Sequence, residues 1–158
     1  MIGRLMIHAK EAWRGAVDVA KLLCVLHVTN KYLVSPSLAM GPSMLPTMNI
    51  TGDVVLCEKI SPRLGKVGPG DIVLVRSPEN PKKCLVKRVM GVEGDRVTYV
   101  ADPKNDDNRY ETAVVPKGHI WIQGDNIYAS RDSRQFGAVP YGLLQAKVFY
   151  RVSLFLLH

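Results

Sequence analysis

The dipeptide Gly-Asp recurs four times after residue 50, and three of its copies open runs rich in β-branched residues. Gly52-Asp53 precedes Val54-Val55-Leu56-Cys57, Gly70-Asp71 precedes Ile72-Val73-Leu74-Val75, and Gly94-Asp95 precedes Arg96-Val97-Thr98-Tyr99-Val100. Glycine supplies the turn and the apolar run supplies the strand. Further strands are expected at 84–90, 119–123 and 146–156, with loops rich in Pro, Lys, Asn and Asp at 61–70, 77–83 and 102–109. No segment after residue 40 has the period of a long helix. The fourth pair, Gly124-Asp125, falls too irregularly for a repeat architecture. At 158 residues the chain has room for one domain and a short appendage. The reading is a mainly β fold: a compact antiparallel domain of coiled, barrel-like sheets over 36–158, led by a helical segment over 1–35.

The leading segment is of another kind. Residues 1–10 hold no acid, and Ala12–Val28 is largely apolar, interrupted by Arg14, Asp18 and Lys21. On a helix those three fall in one stripe, with Lys10 just above it. A free-standing membrane span needs about 20 apolar residues with few charges, and this segment falls short. Its pattern suits a helix lying in a membrane interface, one crossing with its polar stripe against a partner helix, or an amphipathic helix packed on the body. Pro36 and Pro42 are expected to end it.

The net charge of +7 fits nucleic acid, an anionic membrane surface or a mitochondrial address. Basic residues are scattered, with no run of four or more, which argues against a nucleic-acid patch. Three cysteines, Cys24, Cys57 and Cys84, cannot all pair internally. They read as buried free thiols, with a Cys57–Cys84 bridge open to an oxidising compartment. No cysteine–histidine spacing suits zinc, and no motif implies a metal, a nucleotide or another cofactor.

Chemistry concentrates in Gly41-Pro42-Ser43-Met44-Leu45-Pro46-Thr47 and in Cys84-Leu85-Val86-Lys87-Arg88-Val89-Met90-Gly91. A serine is a weak nucleophile at its own pKa and needs a base. Along a strand, 85, 87 and 89 share one face, so Lys87 is flanked by Leu85 and Val89 while Arg88 points away. Arginine stays protonated in a protein, which leaves Lys87 as the candidate base. Its amine must fall from about 10.4 toward about 7–8 to work efficiently, and apolar burial pushes it that way. The histidine alternatives are His8, His27, His119 and His158, of which His119 alone lies inside the β body; spacing does not eliminate it.

Three blocks in this order resemble the type I signal peptidases, serine/lysine endopeptidases that remove leader sequences from translocated proteins. Ser43-Met44-Leu45-Pro46-Thr47 is similar to the nucleophile box. Lys87-Arg88-Val89-Met90-Gly91-Val92-Glu93-Gly94-Asp95 is similar to the general-base box. Gly124-Asp125-Asn126 with Ser130-Arg131-Asp132-Ser133-Arg134 is similar to the box that closes the site. The likeness spans about 40–145. Endoplasmic-reticulum members carry histidine where this chain has Lys87, and Gram-negative members insert a second β subdomain for which 96–119 has little room. Small size, Gly-Pro before the serine and a basic amino terminus are most similar to the mitochondrial inner membrane proteases of that family.

The resemblance implies a signal peptidase fold in which Ser43 attacks the scissile carbonyl and Lys87 is the base. Ser130 would hydrogen-bond and orient the lysine, with Asp132 and Arg134 as an ion-pair scaffold behind it. Some bacterial members place an oxyanion-hole serine where this chain has Gly41, so the hole would rest on backbone N–H groups, with glycine allowing close backbone approach. Implied partners are precursor proteins with leader peptides, a homologous second subunit in a heterodimer, and membrane lipid through the amino-terminal helix; no nucleic acid is implied. The implied place is the mitochondrial inner membrane with the catalytic domain in the intermembrane space, or a bacterial plasma membrane. The substrate would be an extended peptide with small residues near the cut, in shallow apolar pockets formed by Met40, Met44, Leu45 or Leu85. A self-cleaving Ser/Lys repressor would need a helix-turn-helix pair that residues 1–40 do not offer. A catalytically inert membrane-protease subunit is the other alternative.

Overall fold

The computed structural model of the chain describes residues 2–103 and 109–153. Helix α1 (Ile2–Val28) passes through a π turn, Thr29–Leu33, into strand β1 (Val34–Ala39). Strands β2 (Asp53–Glu58), β3 (Ile72–Arg76), β4 (Cys84–Val92), β5 (Arg96–Val100), β6 (Tyr110–Val114), β7 (His119–Gln123), β8 (Val139–Pro140) and β9 (Leu144–Ser153) follow. Two four-residue helical turns, α2 (Ile60–Arg63) and α3 (Ser133–Phe136), interrupt them. Seven strands form one sheet in the order β1-β2-β9-β3-β4-β7-β8, and β5 pairs with β6 in a separate ribbon; every pairing is antiparallel.

The expected strands are present, and the differences have local causes. β1 contains Pro36, a residue expected to end the leading helix, and two serines. It forms at the edge of the sheet, where a missing N–H costs no ladder bond. β6 is short and half-exposed and exists as the partner of β5. The strand expected at 146–156 begins earlier, at Leu144, and residues 154–156 lie outside the described part, as does His158.

The Gly-Asp turns work by one device. Gly52, Gly70 and Gly94 have φ of +85°, +92° and +88°, a region open to glycine at little cost. The aspartate that follows closes the turn with its carboxylate: Asp53 accepts from Asn49 N (2.7 Å), Asp71 from Gly68 N (3.0 Å) and Asp95 from Val92 N (2.8 Å).

Register shifts at Leu56/Cys57, Leu74/Val75 and Val89/Gly91 bend the long strands and curl the sheet. Val73, Val75, Val89, Ile120, Ile122 and Val139 fill one core cluster. Ala39, Met44, Met48, Val55, Cys57 and Ala146 fill a second. Trp121, with Val97 and Val115, joins the ribbon to the body, and its ring lies 4.9 Å from that of Tyr99. All three cysteines are free; burial pushes the Cys57 thiol up to about 11.

Helix α1 is not packed on this body. Trp13, Leu22, Leu23, Val25 and Leu26 are all more than half exposed, an apolar surface of the kind that marks a contact. Among the described residues no helix is long and apolar enough to cross a membrane. Asp18 and Lys21 pair at 3.1 Å within the polar stripe.

Candidate active site

The loop after β1 is fixed at both ends. Gly41, at φ +106°, donates its N–H to Ile50 O (2.7 Å), and Pro42–Met44 form a 3₁₀ turn. Met44 and Met48 are buried in the second core cluster, so the loop that presents Ser43 is anchored by its neighbours. Gly41 also has a backbone reason to be glycine: its φ is positive, and a Cβ there would meet none of the chain's own atoms within 4 Å.

Lys87 lies on β4 opposite Val73 of β3, with Val89 on the same face, and is 3% exposed. Its amine makes no hydrogen bond among the described residues. Burial pulls it down most strongly and Arg134 adds to that. Asp132 and Asp125 pull it up, and the amine settles at about 8. Ser43 and Lys87 line one cleft of about 330 Å³, together with Ala39, Met40, Met44 and Leu85. Leu45, expected there, is not among the lining residues.

Behind the lysine, Asp132 is wholly buried and is the hub of the site. Its Oδ2 accepts from Gly124 N (2.8 Å), Ser130 Oγ (2.5 Å) and Arg134 Nη2 (2.8 Å), and its Oδ1 from Arg134 Nε (2.9 Å) and Arg134 N (3.2 Å). Asp132 also caps α3, in a capping box completed by Gln135. Burial alone would raise its carboxyl, but the Arg134 fork, the Ser130 hydroxyl and the Gly124 N–H together hold it below the usual carboxylate range. Ser130 thus departs from expectation. Its hydroxyl donates to Asp132 and makes no hydrogen bond to Lys87.

Sequence reasoning missed a second network. Arg88, set aside because it cannot be a base, forms a fork on Asp125, with Nε to Oδ1 at 2.8 Å and Nη2 to Oδ2 at 2.7 Å, while Nη1 reaches Gly70 O at 2.8 Å. The Thr47 hydroxyl donates to the same Asp125 carboxylate. Burial would raise the Asp125 carboxyl, but Arg88 and Thr47 hold it down. Asn126 closes the arrangement by donating its N–H to Ser43 O (3.0 Å) and its Nδ2 to Pro42 O (3.2 Å). The serine loop, the lysine strand and the Gly124-Asp125-Asn126 turn are therefore tied to one another. An acid in the third block and an arginine beside Lys87 were the sequence signals for this fork.

Gly124 differs from the other Gly-Asp glycines. A Cβ there would fall 2.5 Å from Ser43 O and onto the Ser130 side chain. Gly124→Ala must therefore displace the serine loop, and we expect kcat to fall about 100-fold or more with a stability cost of about 1–3 kcal/mol. Gly142→Ala, which meets nothing within 4 Å, should leave both kcat and the melting curve near the parent values.

His119 stands apart. Its Nδ1 lies 2.8 Å from Lys117 O, at the start of β7, and it lines neither this cleft nor the others found. Among the described residues no group of three or more His, Cys, Asp or Glu could hold a metal ion.

Comparison with known proteins decides the family. The profile described as "Signal peptidase, peptidase S26" matches residues 13–105 and 101–153. The chain belongs to the signal peptidase family, peptidase S26. It is 57% identical over 144 residues to the mitochondrial ATP-independent inner membrane protease subunit 1a of Arabidopsis thaliana, covering 91% of this chain and 85% of that protein. It is 36% identical over 142 residues to the mitochondrial inner membrane protease subunit 1 of Mus musculus (90% and 83% covered). Against the mitochondrial inner membrane protease subunit 2 of Schizosaccharomyces pombe it is 37% identical over 141 residues (86% and 74% covered). As a peptidase of this family, the chain is a serine endopeptidase of the signal peptidase type.

Proposed function

We propose that Ser43 and Lys87 are the catalytic dyad of a membrane-associated leader peptidase. The observation that carries this reading is the amine of Lys87, buried and pushed down to about 8 in the cleft that also holds Ser43. Lys87 Nζ takes the Ser43 proton as Oγ bonds to the scissile carbonyl carbon. The same proton passes to the leaving amine as the C–N bond breaks, giving an acyl-serine. Lys87 then takes a proton from a water whose oxygen bonds to the acyl carbon, and returns that proton to Ser43 Oγ as the ester C–O bond breaks. Backbone N–H groups at the serine loop, Ser43's among them, hold the developing oxyanion. Ser130, Asp132 and Arg134 are positioning residues that act through Lys87, and Gly41 shapes the loop.

The cleft favours an extended peptide. β1 is a sheet edge, and β7 pairs with β4 only from Arg88 onward, so Cys84–Lys87 keeps one side without a β7 partner. A substrate strand can bond between these two edges, with Met40, Met44 and Leu85 forming shallow apolar walls suited to small side chains.

In this reading 1–35 is the membrane segment and 36–158 the catalytic β domain. The exposed apolar surface of α1 meets lipid and its Arg14–Asp18–Lys21 stripe meets a helix of a homologous second subunit. The relatives' names support the mitochondrial inner membrane and a complex of homologous subunits; the catalytic domain would face the intermembrane space and cut precursor proteins there.

The test is cleavage of a membrane-targeted precursor by the reconstituted chain. Ser43→Ala should abolish it, and kcat/KM of the parent should rise with pH through an apparent pKa near 8, not near 10.5. A profile flat from neutral pH to about 10 would remove the lysine from the role of base. An amino-terminally truncated chain that still behaves as an integral membrane protein would overturn the role given to α1.

A further inference from the structure

The end of α1 is clamped to the segment that follows β2. Lys59 Nζ donates to Asn30 O (2.8 Å) and Lys31 O (3.3 Å), Lys59 N–H to Leu33 O (2.8 Å), and Arg63 Nη1 to Tyr32 O (3.2 Å). The carbonyls at a helix end carry partial negative charge and lack helical partners. Here two cations from another segment satisfy them. Residues 59–66 are thereby held beside the point where α1 leaves the body.

The outward side of this clamp has an unusual make-up. Tyr32, Ile60 and Leu64 are 44%, 45% and 60% exposed. The Tyr32 ring is flanked by Lys31 Nζ at 5.3 Å and Arg63 Cζ at 5.7 Å, and Lys66 is exposed one turn on, with its N–H on Ser61 O (2.9 Å). Segments 29–33 and 59–67 contain four cations and neither Asp nor Glu. The nearest carboxylate in sequence, Glu58, turns inward to accept from Ile60 N and Ser61 N.

We propose that this face is a docking site for anionic phospholipid. Tyr32, Ile60 and Leu64 enter the headgroup region while Lys31, Arg63 and Lys66 meet lipid phosphates. The proposal rests on the reading of α1 as the membrane segment and adds a second contact to it. Charge complementarity selects this occupant: each Lys or Arg near an anionic bilayer is worth about fivefold in affinity, whereas a second copy of this +7 chain would bring like charge to like charge. A second contact also removes the freedom of the body to swing about the end of α1, and so fixes the height of the cleft above the bilayer.

The test uses the full chain with Leu64→Cys carrying an environment-sensitive fluorophore, in a Cys24→Ser/Cys84→Ser background. It is reconstituted in phosphatidylcholine vesicles with and without cardiolipin. With cardiolipin the emission should shift to the blue and be quenched by lipid-borne spin labels, and high salt should reverse both. Lys31→Gln/Lys66→Gln, which breaks none of the clamp's hydrogen bonds, should weaken this local contact about thirtyfold without changing cleavage of a soluble peptide. Emission that stays water-like in both vesicles, or that is equally blue-shifted in both, would overturn the proposal. Failure of the α1 reading would show separately, as chain left in the supernatant when the vesicles are pelleted.

Discussion

Lys87→Met should lose nearly all cleavage and melt above the parent. The loss of activity, about 10⁴-fold or more, is expected from removing one member of the proposed dyad, whose members act together. The gain in stability follows from burial. At neutral pH the folded chain holds a protonated amine at 3% exposure, with its pKa near 8 in place of 10.5, and each pH unit of that lowering costs about 1.4 kcal/mol. The penalty is therefore about 3 kcal/mol, and an apolar side chain of similar length removes much of it. The sign fixes a pH test. The folded state binds fewer protons than the unfolded state between about 8 and 10.5, so the parent gains stability as pH rises through that window, and Lys87→Met does not. Thermal melting at pH 7 and pH 10 on both chains, alongside single-turnover cleavage, measures all of this. A variant that melted lower at pH 7 while remaining folded would mean that the amine is stabilised by its surroundings.

Asp132→Asn should be the most destabilising change among the site's carboxylates. It strands Arg134, whose side chain is 1% exposed, without its ion-pair partner, and breaking a buried pair from one side costs about 3–5 kcal/mol. For a domain of this size that lowers the melting temperature by roughly 10 °C. Asp132→Asn/Arg134→Met should recover much of the loss, since no charge is left unpaired. The kinetic signature is separate from the folding one. Asp132 is the charge that most raises the Lys87 amine and Arg134 lowers it, so Asp132→Asn should move the rising limb of kcat/KM to lower pH. An unmoved limb would mean that the ion pair serves folding alone. In the parent, the depressed Asp132 carboxyl contributes stability above its unfolded value of 3.8 that is lost as pH falls through the folded value.

The parts of this fold that could be read from the sequence are those where a local pattern and the tertiary structure agree. Val54–Cys57, Ile72–Val75 and Arg96–Val100 are β-branched runs behind turn glycines, and they form β2, β3 and β5. β1 was hidden because Val34-Ser35-Pro36-Ser37 has little intrinsic β preference; its conformation is imposed by pairing with Val55–Glu58. In the site, alternation along β4 was enough to separate Lys87 from Arg88. The role of Arg88 was not legible, because its partners Asp125 and Thr47 lie 37 and 41 residues away in the chain, and only the folded sheet brings them together. Gly124 carried the same Gly-Asp signature as the turn glycines, yet its reason is crowding against Ser43 and Ser130 and not a positive φ.

The fork of Arg88 on Asp125, with Thr47 on the same carboxylate, joins segments up to 78 residues apart. No local stretch of this chain therefore holds a working hydrolase. In the proposed mechanism, until the sheet has closed and β7 has delivered its turn to the serine loop, Lys87 has no dry place in which to shed its proton, and Ser43 is an ordinary alcohol. A peptidase is itself an unfolded polypeptide at first. Dispersing its site over distant segments makes completion of folding the step that arms it.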